Sequence, residues 1–236
     1  MKTILTILLL LGAGIFLFSY TYEAPPVTDI SVLRDITDKH LAQPKADEIL
    51  SLLDFSGDRK WNGAAFRFSD LTDVSFNRVS EASIENANQW LSNEIERDKE
   101  IQKFKDDVSK TISTNEPIGK EHSSVYFPIA SELTYLSQSR ADRKILLVYS
   151  DLMENDLDIS LYSKQELELL NTNLDSLKGI FEKRKALSSL QGIEVYFIYQ
   201  PNNAVEDKDY RLVSDFYRSL LESKGAIVHI SANLIN

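Results

Sequence analysis

The stretch Lys144-Ile-Leu-Leu-Val-Tyr-Ser-Asp151, "KILLVYSD", sets five consecutive apolar residues between a lysine and a Ser-Asp pair. A run this short is strand length rather than helix length. Its apolarity is continuous instead of alternating, as expected of a strand covered on both faces by helices in a parallel sheet. The polar pair at its carboxyl end falls where open α/β sheets hold their ligands.

Outward from this strand, short β-branched runs alternate with longer helical ones from Thr28 onward. That order predicts an α/β fold: a doubly wound, mostly parallel sheet with helices on both faces and one antiparallel edge hairpin. The first strand is "DISVLRDIT", Asp29 to Thr37, and a helix from about Pro44 to Leu53 follows, with Ala46, Ile49, Leu50 and Leu53 on one face. "NGAAFRFSD" and "VSFNRVS" read as the hairpin, turning between Asp70 and Asp73. From Ile84 to Ile112 the residues Ile84, Ala87, Leu91, Ile95, Ile101, Phe104, Val108 and Ile112 recur at three- and four-residue steps. They predict a long amphipathic helix, or two broken ones, whose charges form a solvated face.

"VYFPIASELTYLSQS" predicts a helix with Pro128 in its first turn, where a missing amide is tolerated. After the opening strand, Ser163 and Glu166 form a capping box ahead of Leu167, Leu170, Leu174, Leu177 and Phe181. The strand "IEVYFIYQ", a helix from about Asp207 to Lys224 ending at Gly225, and the strand "AIVHISA" complete the series. Trp61, Trp90 and the Tyr196-Phe197-Tyr199 stripe read as core and strand aromatics, and His229 as a packed or edge histidine.

Composition narrows the function classes. The chain has 236 residues and 43 % apolar content, enough for one large domain with a real core. Its formal charge of −10 and pI near 4.9, with no basic patch, argue against nucleic acid, whose binding draws on clustered Lys and Arg. The absence of cysteine excludes thiolate catalysis, Cys-based zinc sites and disulfides.

Residues 1–22 read as a signal peptide or an N-terminal membrane anchor. Lys2 precedes an apolar run from Ile4 to Phe18, broken only by Thr6 and two glycines. Continued to Tyr20, the run reaches the roughly 17 to 25 residues that span a bilayer. "FLFSYTYEA" is a poor cleavage site, which favours the anchor and places residues 23–236 outside the cytoplasm, spaced from the membrane by "APPVTD".

Three polar clusters fall beyond strand ends: Asp35 to His40, His122 to Ser124, and Ser150 to Asn155. On these residues the chain resembles the von Willebrand factor type A family over about residues 28 to 234. That family carries a metal-ion-dependent adhesion site built from three loops. Asp35-Ile-Thr37-Asp-Lys39 is similar to its Asp-x-Ser-x-Ser motif, "SSVYFPIASEL" to its second loop, and "LLVYSDLMEN" to its third.

The resemblance implies a degenerate metal site of Asp35, Thr37, Ser123 and Asp151, with Ser124 as the one-residue-shifted alternative, and a helical insertion around residues 84–115. It implies a non-enzymatic protein-protein interaction module whose only cofactor, if it takes one, is Mg²⁺. Hard oxygen ligands suit that ion and leave a position for a partner's acidic group. Lys39 departs from the motif. An ammonium about 4 Å from a divalent ion costs on the order of 8 kcal/mol at an effective dielectric near 20. Lys39 swings away, prevents binding, or replaces the ion; the sequence leaves these three open.

Two other readings stay open beside it. One is a hydrolase or phosphate-handling enzyme using Asp35, His122 and Asp151, which requires a deep polar pocket. The other is a structural part of an envelope assembly with a vestigial site.

Overall fold

The computed structural model describes residues 23–37, 42–72, 78–113, 124–155 and 159–234. The expected anchor of residues 1–22 and the site residues Lys39, His40, His122 and Ser123 lie outside the described residues. Among the described residues, no helix is long and apolar enough to cross a membrane.

Six strands form one sheet: β1 (Val27–Asp35), β2 (Gly63–Leu71), β3 (Ser80–Ile84), β4 (Arg143–Tyr149), β5 (Ile193–Ile198) and β6 (Ile227–Ser231). Their spatial order is β3-β2-β1-β4-β5-β6, and every neighbouring pair is parallel except β2 with β3. The fold is therefore the α/β arrangement expected from the alternation of elements. Chain order reverses direction at β1, whose neighbours are β2 on one side and β4 on the other. The carboxyl ends of β1 and β4 thus form the topological switch point, where connections diverge and leave a crevice.

The apolar strands are buried on both sides, with successive side chains pointing to opposite faces. Leu33, Leu146, Val148, Val195 and Phe197 face one core; Ile30, Val32, Ile145, Leu147 and Ile198 face the other. The first core is completed by helices α3 (Tyr126–Gln138), α4 (Lys164–Thr172), α5 (Leu174–Arg184) and α6 (Ala204–Glu222), the second by α1 (Ala46–Ser51) and α2 (Glu94–Ile112).

A buried polar link fixes α3 to the sheet: Glu132 accepts hydrogen bonds from Ser31 Oγ at 2.9 Å and Arg67 Nε at 2.9 Å. The Arg67 guanidinium also lies 3.9 Å from the centroid of the Tyr135 ring, a cation-π contact.

Helix α2 runs from the amino edge of the sheet to the carboxyl edge. Near its start, the buried Arg97 donates to the backbone carbonyls of Lys60, Glu85 and Asn62 at 2.8, 2.8 and 2.5 Å. At its end, the Ile112 carbonyl accepts from Arg34 Nη1 at 3.3 Å.

Several boundaries differ from the sequence expectation. Helix α2 begins at Glu94, not Ile84, because the Asn93 side chain caps it by accepting from the N–H groups of Ile95 and Glu96. Ile84 instead ends β3, while Leu91 and Ile95 are exposed; the buried apolar stripe of the helix is Ile101, Phe104, Val108 and Ile112, preceded by the buried Arg97. The second hairpin strand is Ser80–Ile84, later than the expected run, which overlaps residues 73–77 outside the description.

The apolar series after Ser163 forms two helices, since Asn173 ends α4 and its side chain accepts from Ser176 N–H to start α5. Ser163 does cap α4 as expected, receiving the Glu166 N–H at 3.1 Å. Of the two tryptophans, Trp61 is buried but Trp90 is not. His229 stacks on Tyr196 with ring centroids 4.4 Å apart on the edge strand, as expected of an edge histidine.

Candidate functional site

At the carboxyl ends of β1 and β4, register places Arg34 opposite Tyr149. The next residue on each strand is Asp35 and Ser150. Both share the alternation of Leu33 and Val148 and so turn toward the face covered by α3.

Asp35 is fully buried and is held by hydroxyls on both oxygens. Its Oδ1 accepts from the Thr37 N–H at 2.9 Å and Thr37 Oγ1 at 2.6 Å, and its Oδ2 accepts from Ser150 Oγ at 2.7 Å. The Ser150 hydroxyl also receives the Leu152 N–H at 2.9 Å. The two strand ends are thereby tied through one carboxylate.

Asp151 follows directly and organises the outer rim. Its Oδ1 accepts from the Met153 N–H at 2.9 Å and its Oδ2 from the Tyr162 hydroxyl at 3.0 Å. Tyr162 is 58 % exposed, and its hydroxyl reaches the Asp151 carboxylate. That hydroxyl is held well above the ordinary tyrosine range. Withdrawal from water contributes most, then the Asp151 charge and hydrogen bond, then the Asp35 charge.

Tyr210, packed against the Tyr199 ring at a centroid distance of 4.8 Å, is likewise shifted upward, by burial first and the Asp151 charge second. Its buried hydroxyl has no hydrogen-bond partner among the described residues. A buried hydroxyl left so costs about 1–3 kcal/mol.

The loop before α3 is fixed to this rim from two directions. Ser124 donates its N–H to the Thr72 carbonyl at 3.0 Å beyond the end of β2. The fully buried Glu154 accepts the N–H groups of Val125 and Tyr126 at 2.9 and 2.7 Å, and Arg184 Nη1 at 2.9 Å. A carboxylate here also complements the positive end of the α3 dipole. Arg34, on the opposite face of β1 from Asp35, forms a shielded pair with Asp70 at 2.6 Å and lies over the Phe68 ring.

Of the expected site residues, Asp35 and Thr37 are joined directly, and Asp151 stands one residue beyond Asp35's partner on β4. Ser123 is outside the described residues, as are Lys39 and His122. Ser150 stands in the sequence-derived cluster Ser150 to Asn155 but not among the expected ligands, and Tyr162 is in none of the three clusters. Ser150 was legible as the polar residue that ends the "ILLVY" run, whereas Tyr162 reaches the rim from a loop whose path no local pattern announces.

Among the described residues, no three His, Cys, Asp or Glu side chains cluster to cage a metal. Asp35, Asp151, Thr37 and Ser150 are nonetheless oxygen donors only. That set fits Mg²⁺, which binds through one or two carboxylates and keeps several waters, and it does not suit a soft or imidazole-seeking metal. Among known proteins, no family model matches this chain and no curated protein matches it.

Proposed function

We propose that the chain is an extracytoplasmic, membrane-attached module of the von Willebrand factor type A kind that binds a protein partner through the carboxyl edge of its sheet. The observation that supports this most is Asp35 at the switch point, tied by Thr37 and Ser150 and standing beside Asp151. The strand order, with its antiparallel edge at β3, agrees with the resemblance drawn from the three loop motifs.

The rim favours docking over turnover. Its hydroxyls order the rim: Thr37 and Ser150 hold the Asp35 carboxylate, and Tyr162 holds that of Asp151. Were a Mg²⁺ ion bound, Asp35, Thr37, Ser150 and Asp151 would hold it and it would offer a coordination position to an acidic group of the partner. Lys39, at the third position of the motif, modifies that site by bringing a positive charge of its own. Attachment to the membrane rests on the apolar run of residues 4–20.

A photo-crosslinking residue placed at Tyr162 in the full chain, in its native membranes, tests the reading. The expected result is a discrete adduct with another protein that disappears with Asp35→Asn. A crosslinker at Glu222, at the far end of α6, serves as control. Adducts equal at both positions, or unaffected by Asp35→Asn, would refute docking at this edge.

A further inference from the structure

Trp90, Leu91 and Ile95 are 73, 82 and 68 % exposed within six residues of chain. Their turn is well built. Trp90 N–H donates to the Asn88 side chain at 2.8 Å, and the N–H groups of Leu91 and Ser92 bond the Asn88 carbonyl at 3.1 and 3.0 Å. The Ile95 N–H is held by the Asn93 cap at 2.9 Å. The backbone is satisfied while the apolar side chains point outward, which marks a presented surface and not a frayed loop.

This turn sits at the amino edge of the sheet, where the chain enters the domain. Asn86 Nδ2 donates to the Pro25 carbonyl at 2.5 Å, Gly63 N–H to Pro26 at 3.0 Å, and Ala87 N–H to Trp61 at 2.9 Å. Pro25 is thus fixed to Asn86, which lies four residues of chain before Trp90, a span of at most about 15 Å. On the other side, Pro25 follows the apolar run ending at Tyr20 by five residues, a reach of about 17 Å at full extension.

We infer that Trp90, Leu91 and Ile95 form a foot that rests in the headgroup and upper acyl region of the bilayer, turning the carboxyl edge of the sheet away from it. The inference rests on the membrane attachment proposed above. A tether of this length is short enough for the foot to reach the membrane surface. Trp is the side chain most at home at headgroup depth, and Leu and Ile supply the apolar face of an interfacial contact.

Charge does not drive the contact. Glu94 and Glu96 flank the turn, and Lys60 pairs with Glu94 and with Asp98, leaving no basic excess to attract anionic lipid. Contact therefore needs no anionic lipid and survives high salt.

The test reconstitutes the full chain into phosphatidylcholine vesicles, first measuring flotation and then tryptophan emission with and without bromine on the acyl chains near the headgroup. The chain has two tryptophans, so Trp90→Phe, a change at an exposed position, leaves Trp61 alone and the difference isolates Trp90. The expected result is flotation together with loss of about half or more of the Trp90 emission in brominated vesicles, unchanged by salt. Flotation without quenching overturns the foot and leaves the anchor standing. Failure to float overturns the anchor and the foot with it. Emission that shifts to the blue as protein density rises, yet is not quenched by bromine, overturns the inference by showing a second copy over the patch.

Discussion

Glu154→Gln should be among the most damaging single substitutions near the candidate site. Glu154 is fully buried, and its donors include the first two backbone N–H groups presented by the start of α3 and Arg184, whose side chain is only 14 % exposed. The amide keeps one acceptor oxygen but removes the charge, so Arg184 loses the counter-charge that Glu154 supplies and at least one donor loses this acceptor. Breaking a buried pair from one side costs about 3–5 kcal/mol. In a domain of this size each kcal/mol lowers the melting temperature by about 2–4 °C, so the expected fall is about 6–20 °C. Thermal and urea unfolding of the full chain measure it. Arg184→Met and the double variant complete a cycle, in which Glu154→Gln costs far less once the arginine is gone. A single Glu154→Gln variant melting within about 1 kcal/mol of the parent would refute the assignment of this carboxylate as the tie between the two loops.

Two other changes probe the frame around the site. A Cβ at Gly63 would meet the Asn86 backbone nitrogen at 2.8 Å, Val27 Cγ2 at 3.0 Å and the Ile84 carbonyl at 3.2 Å; Gly63→Ala should therefore destabilise by about 1–3 kcal/mol in urea unfolding, since backbone atoms cannot yield cheaply. Glu194 lies on β5 beside Arg143 of β4 at 2.8 Å, and this hydrogen bond holds its carboxyl below the usual carboxylate range. Because the folded value is depressed, its contribution is present at neutral pH and is lost as pH falls through that value. Glu194→Gln should cost about 0.5–1 kcal/mol at pH 7 for this half-exposed pair, and the difference should vanish in acid when melts are compared across pH.

Elements with strong local periodicity were legible in the sequence. The strands β1 and β4 are buried on both faces, so their apolar runs announce them without help from their neighbours, and β2 and β5 show the alternation of a strand with one better-covered face. Pro128 and the Ser163 cap likewise mark helix starts by local chemistry. What misled was the stretch before α2, where Ile84, Ala87, Leu91 and Ile95 continue the helical spacing of the buried stripe by coincidence. Their fates were decided by Asn88 and Asn93, whose side chains satisfy backbone N–H groups and end the periodic segment.

At the candidate site, Asp35, Thr37 and Asp151 could be placed because strand ends predict where side chains converge. Ser150 and Tyr162 depend on tertiary register and on a loop returning to the sheet edge. Glu154 was inside a cluster noted from sequence, but its burial against the start of α3 is a long-range event that no spacing encodes.

The most direct measurement compares thermal melts of the full chain, of Lys39→Ser, and of Lys39→Ser combined with Asp35→Asn, each with Mg²⁺ and with chelator. Restoring the hydroxyl at the third motif position should create Mg²⁺-dependent stabilisation of about 2.7 kcal/mol when the ion is at a hundred times its dissociation constant. The unaltered chain and the double variant should show none. Equal Mg²⁺ stabilisation of the unaltered chain, or no response in Lys39→Ser, would contradict a carboxyl-edge site of the adhesion kind modified by Lys39.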